Sequence, residues 1–210
     1  MSDPIHSGEA ENKMENATMP EAAIVLADMQ RWLQMAVIGL NLCPFAKSVQ
    51  VKHQIHWVVS SATSRAPLLA ELKHELLELV AQDSQVRDTT LLMVPGFLGD
   101  FLEFNDFLQA ADRLLAKLQL DGTLQIASFH PVYEFADTPG DDITNFTNRA
   151  PYPTLHLLRE ASVARAVQAF PEADRIFDKN RHVLRELGRA GWEALGVGAS
   201  PNNPAVKTER

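Results

Sequence analysis

Hydrophobic positions along the chain recur at two spacings, about 3.6 residues and about two residues, and the switches between them mark out helices and strands. Val25, Met29, Trp32, Leu33 and Ala36 fall on one helical face, and Gly39 closes that helix before a turn over Asn41 to Pro44. From Val51 to Ser60 the pattern alternates and then becomes wholly apolar at Trp57, Val58 and Val59, which predicts a strand entering a buried sheet. Ser64 and Pro67 open a helix with the stripe Leu69, Leu72, Leu76 and Val80. Thr89 to Val94 reads as a second strand, stopped by Pro95 and Gly96. Asp100 followed by Glu103 has the form of a capping box, and the helix it opens carries Phe101, Phe104, Leu108, Ala111, Leu115 and Leu118 on one side. Asp121 and Gly122 then turn the chain into a third strand, Leu124 to Phe129.

Thr154 to Arg159 suits either a helix beginning at Pro153 or a fourth strand; Ser162, a good N-cap for a separate helix Val163 to Phe170, favours the strand. A last helical region, Glu172 to Leu195, buries Ile176, Phe177, Val183, Leu184, Leu187 and Trp192, with Gly188 and Gly191 suggesting a break. Strands alternating with helices predict a single α/β domain over residues 20–197. Its sheet is expected to hold about four mainly parallel strands with helices on both faces, plus an N-terminal helix and C-terminal helices. Residues 1–19 and 198–210 read as flexible tails.

Composition narrows the function. The 210 residues are 46% hydrophobic and 22% charged, as in ordinary globular domains. The net charge of -8, with basic residues scattered, disfavours a nucleic-acid partner. Asp28, Gln30, Arg31 and Gln34 interrupt the longest apolar-rich stretch, Ile24 to Leu42, so no membrane partner is expected, and Met1 to Pro20 lacks the form of a secretory signal. The single cysteine, Cys43, excludes an internal disulfide framework and fits a cytoplasmic setting.

Candidate chemistry concentrates between His130 and Pro153, a connection far longer than the usual four to six or so residues. His130, where the third strand gives way to this loop, is a candidate acid or base, or else a cap on loop backbone. Asp141 and Asp142 could hold a divalent ion, though Gly140-Asp141-Asp142 is also good turn chemistry. Arg149 could clamp an anion, Asn145 and Asn148 could orient it or brace the loop, and Tyr133 and Tyr152 could shape a pocket. In a strand, His156 and Leu158 would share one face while Leu157 and Arg159 share the other; His156 reads as a satisfied core histidine before a ligand, and Arg159, at the strand end beside Glu160, is the better site candidate or else part of an internal ion pair. Cys43 is a candidate nucleophile or redox thiol, with buried and inert as the alternative. Dinucleotide, Walker, Gly-x-Ser-x-Gly and His-Glu-x-x-His signatures are all missing, so no cofactor is assigned.

Leu42-Cys43-Pro44-Phe45-Ala46, Phe104-Asn105-Asp106-Phe107-Leu108, Ser128-Phe129-His130-Pro131 and Thr147-Asn148-Arg149-Ala150-Pro151-Tyr152-Pro153, followed by Leu155-His156-Leu157-Leu158-Arg159-Glu160, occur in this order. Together they resemble the bacterial family catalogued as domain of unknown function 1415, over about residues 22 to 190. The resemblance implies membership and carries no activity, cofactor or catalytic residue with it. The residues point first to an enzyme acting on a small anionic substrate, where the 130–153 loop meets the carboxyl ends of the strands. A noncatalytic module that docks a protein partner, and thiol redox chemistry at Cys43, are the alternatives.

Overall fold

In the computed structural model, which describes residues 20–169 and 175–200, short apolar runs pair into one sheet. Its strands are β1 (Ile55–Val59), β2 (Thr89–Met93), β3 (Leu124–Phe129) and β4 (Thr154–Arg159), in the order β1-β2-β4-β3. β1 and β2 are parallel, whereas β4 is antiparallel to both β2 and β3. The sheet is therefore mixed and not mainly parallel. β4 enters next to the strand it follows, as hairpin partners do, and fills a position left open between β2 and β3.

Around the sheet lie α1 (Ala22–Trp32), which continues into a π-helical turn over Leu33–Ile38, then α2 (Ala46–Val51), α3 (Arg65–Ala81) and α4 (Phe101–Lys117). A 3-10 helix (Ile143–Asn148), α5 (Glu160–Ala169) and α6 (Ile176–Ala194) follow. At Gly39 the wide turn closes through a bond from its N–H to the Gln34 carbonyl at 3.0 Å. A Cβ at that position would lie 2.2 Å from the Met35 carbonyl oxygen, so only glycine fits. Asp100 caps α4, accepting from the amides of Leu102 and Glu103 at 2.9 Å.

Several boundaries differ from expectation. Val51 ends a short helix, and β1 starts only at Ile55. The buried stripe of α3 is Leu68, Leu72, Leu76 and Leu79, rotated so that Val80 is exposed. α5 starts at Glu160 directly after β4; Ser162 lies inside it and donates to the Asp88 carboxylate at 2.6 Å. The break in the last helix falls at Gly188, with φ 64°. Phe170 and Glu172, the tail over 1–19 and positions 201–210 lie outside the described residues.

Side-chain alternation gives the sheet two apolar faces. Leu92, Leu124, Leu155 and Leu157 pack against Leu68, Leu72 and Leu76 of α3 and Phe104, Phe107 and Ala111 of α4. On the other face, Leu91, Met93 and Trp57 meet Val25, Met29, Trp32 and Ala36 of the first helix. None of the described helices is long and apolar enough to cross a membrane.

The second layer is held by a buried carboxylate. Asp28 of α1 is fully buried and accepts from the Tyr152 hydroxyl at 2.8 Å, the Ser200 amide at 2.8 Å and the Ser200 hydroxyl at 2.6 Å. Ser200, within the stretch expected to be a tail, is thus tied to the core. Removing the acceptor leaves three donors unsatisfied, so Asp28→Ala should destabilise by about 3 kcal/mol and Tyr152→Phe by only about 1 kcal/mol. Urea unfolding measures both; an Asp28→Ala midpoint equal to wild type would remove the clamp from the account.

Candidate functional site

The loop from His130 to Pro153 joins β3 to its neighbour β4, whose first pair is Phe129 opposite Thr154. Because the loop closes on itself, its polar groups find partners within it or beneath it. The fully buried His130 ring stacks against Phe101 and Phe104, with centroids 5.1 and 5.0 Å away. Its Nδ1 accepts from the Val132 amide at 3.2 Å, so Nε2 carries the proton and donates to the Leu98 carbonyl at 3.0 Å. Leu98 sits at φ 62°, and this bond helps hold that left-handed residue in place. Burial, the largest influence, pushes the His130 pKa down, and both ring nitrogens are engaged.

The other loop candidates are similarly occupied. Arg149 donates from Nε to the Tyr133 carbonyl at 3.1 Å and from a terminal nitrogen to the Gly140 carbonyl at 2.7 Å, and its guanidinium lies 4.2 Å over the Phe146 ring. Asn145, fully buried, accepts from the Phe135 amide and the Thr138 hydroxyl at 3.0 Å and donates to the Pro139 carbonyl at 2.8 Å. Asn148 donates to the Ser128 carbonyl at 3.4 Å. Asp142 caps the 3-10 helix through the Thr144 amide and hydroxyl, bonds that hold its carboxyl below the usual range. Asp141 offers its backbone carbonyl to Arg189 at 2.9 Å. Among the described residues no group of three or more His, Cys, Asp or Glu side chains could hold a metal ion. Tyr133 packs tilted against Phe101 and edge to face against Phe135, and Tyr152 donates to Asp28. This geometry is that of a braced loop.

Arg159 and His156 diverge, as strand alternation requires. The Arg159 guanidinium reaches the carbonyls of Leu79, Gln82 and Arg87, tying down the chain beyond α3. His156 takes the opposite face, with Leu91 beside it on β2 and Ala127 on β3.

Over that face opens a cavity of about 820 Å³. Its floor includes Leu91, Ala127, Phe129, His156 and Leu158. One wall is formed by Cys43, Pro44 and α2, the other by Val163, Ala166 and Ala169 of α5, and Trp32 also lines it. Lys52, Ser84, Gln85 and Arg165 lie among the more polar lining residues. It covers the starts of β1 and β2, the face of β3 from Gln125 to Phe129, and the end of β4. Cys43 lies on the wall, where burial pushes its thiol pKa up and leaves it a poor nucleophile. His156 donates from Nε2 to the Thr89 hydroxyl oxygen at 2.8 Å, while that hydroxyl donates to the Leu157 carbonyl at 2.7 Å. Burial lowers the His156 pKa to about 4.

Residues 24–194 match the family model described as "Protein of unknown function (DUF1415)". The chain belongs to the DUF1415 family. No curated protein and no solved structure matches it. Sequence reasoning did not assemble the cavity of this DUF1415 chain, although Cys43 and Arg159, both candidates from sequence, line it together with His156. The one available signal was a histidine among the apolar residues of a strand.

The depressed histidines give the fold an acid-labile window. The unfolded chain takes up protons as pH falls through about 6.5, while folded His156 resists down to about 4. The stability is therefore fully present above the upper value and is lost as pH falls between the two, with His130 acting in the same direction. His156 alone should cost up to about 2 kcal/mol by pH 5. Urea midpoints from pH 7 to pH 5 should fall less steeply in His156→Gln than in wild type; equal slopes would refute the assignment.

Proposed function

We propose that this protein binds a small, largely apolar molecule in the cavity over β3 and β4. The observation that carries this reading is the cavity itself. Protein interiors are close-packed, with few voids larger than a water molecule, and ligand pockets run from about 300 to 1,000 Å³. An apolar concavity of about 820 Å³ falls in that range. Leaving such surface wet forgoes burial worth about 25 cal/mol per Å², which a ligand would recover.

Lys52, Arg159 and Arg165 at the lining, with the acidic Asp88 among them, leave room for an anionic group on the ligand, whereas the small anionic substrate expected from sequence belongs to the 130–153 loop. The support for turnover is weaker than the support for binding. Among the lining groups, Cys43 is a thiol kept protonated and His156 an imidazole kept neutral, neither poised for acid-base or nucleophilic work near pH 7. The loop candidates His130, Arg149, Asn145 and Asn148 enter this reading as supports that fix the end of β3 and the start of β4. The cytoplasmic setting inferred from the single cysteine belongs to the same proposal.

The test is a thermal-shift and calorimetric screen of small apolar molecules against wild type and Ala127→Phe. Ala127 lines the floor on an edge strand, so a phenyl group there should fill the cavity without disturbing the core beneath. A ligand at about 100 times its Kd stabilises wild type by about 2.7 kcal/mol. The variant should keep or raise the wild-type melting temperature and bind at least roughly tenfold more weakly. Equal binding by both proteins would refute the cavity as the site.

A further inference from the structure

Resting on that reading, the geometry points to a ligand whose buried end is a neutral hydrogen-bond donor, a phenol-type hydroxyl or an indole-type N–H on an aromatic body, received by Nδ1 of His156. A relay on the cavity floor fixes the direction of the hydrogen bonds. The Leu157 carbonyl can only accept, so the one proton of the Thr89 hydroxyl goes to it. Thr89 Oγ1 is then the acceptor for His156, and Nε2 of the imidazole must carry the proton. Nδ1 is left as a bare lone pair, with no hydrogen-bond partner among the described residues. The neutral ring cannot supply a second proton.

The surroundings narrow the class further. Phe129 lies 6.0 Å from the His156 ring, and Trp32 meets Phe129 edge to face at 5.1 Å, so the neighbouring wall is aromatic. Leu91, only 3% exposed, and Ala127 flank His156 on the adjacent strands. A carboxylate brought to this end would face another lone pair in an apolar setting, which repels it and strips its water. A neutral O–H or N–H satisfies Nδ1, and an aromatic body suits the wall. The cationic groups Lys52, Arg159 and Arg165 also line the cavity, beside the acidic Asp88, so an anionic group on the ligand has partners there other than His156.

Four probes of matched size decide the matter: para-propylphenol, para-propylanisole, propylbenzene and para-propylbenzoate, titrated by calorimetry into the full chain. The phenol is expected to bind roughly tenfold or more tightly than the anisole and the hydrocarbon, because an unpaired buried acceptor is costly. His156→Leu should reduce that preference to near unity while still binding propylbenzene. Thr89→Val provides an independent check if the first variant folds poorly. With no hydroxyl to accept from Nε2, the ring is free to turn its proton toward the cavity, and the phenol preference should shrink or pass to the anisole.

Equal affinity for phenol and anisole, or a tightest binding of the benzoate that His156→Leu abolishes, would overturn the donor assignment while leaving the cavity as a binding site. If none of the four binds, the cavity reading and the donor assignment both fail.

Discussion

The position of β4 between β2 and β3 is the constraint from which the rest of the structure follows. α4 carries the chain past one strand width before β3 is laid down, and the gap exposes unpaired backbone on both sides. β4 fills it in antiparallel register with each neighbour, so a strand of alternating leucines becomes the interior of the sheet. A slip of one residue would exchange Leu155 and Leu157 with His156 and Leu158, placing an imidazole against α3 and α4. The apolar cluster on that side therefore sets which residue faces the cavity. The same register brings Arg159 to the carbonyls beyond α3, where its guanidinium supplies donors to a chain end that would otherwise lack them.

The two faces of the sheet are covered unequally, and the cavity is the difference. α3 and α4 are both seventeen residues long and together cover one side. On the other, α1 and its π-helical extension pack over β1 and β2, while α2 has only six residues. α5 starts with no intervening residue after β4, so it forms a wall beside that end of the sheet and does not fold back as a lid over it. Ala127 on the floor and Ala166 and Ala169 on the wall add little volume of their own.

This division explains what could be read from sequence. The bounds of β3 and β4 were legible to the residue, because Asp-Gly, Pro and charged residues flank both apolar runs, although the run of β4 also suited a helix. Strand direction was not legible: whether β4 enters at an edge or into a gap depends on contacts between distant segments. The four-residue shift in the start of β1, from Val51 to Ile55, has a local cause, since Val51 ends the short α2 and is exposed there, so its place in the alternating run reflects no burial in the sheet. For the site, Asn, Asp, Arg and His in a long loop are equally the vocabulary of catalysis and of backbone bracing. Only the bonds of Asn145 and Arg149 separate the two. The cavity left no local signature, because small and apolar residues from five separated segments form it.

Burial gives His156 its character in two ways at once. An imidazole with a pKa of about 4 is almost wholly neutral at neutral pH, which removes it from general-acid chemistry. The same environment raises its worth as an acceptor, since a hydrogen bond formed away from water is not matched by one given up to solvent once the site has been emptied. Thr89 completes the effect by fixing the tautomer, much as a carboxylate or carbonyl orients a histidine elsewhere, but without adding a charge that would lift the pKa again. A histidine held by a hydroxyl relay in an apolar floor is thus suited to reading a ligand's proton donor, and poorly suited to moving that proton.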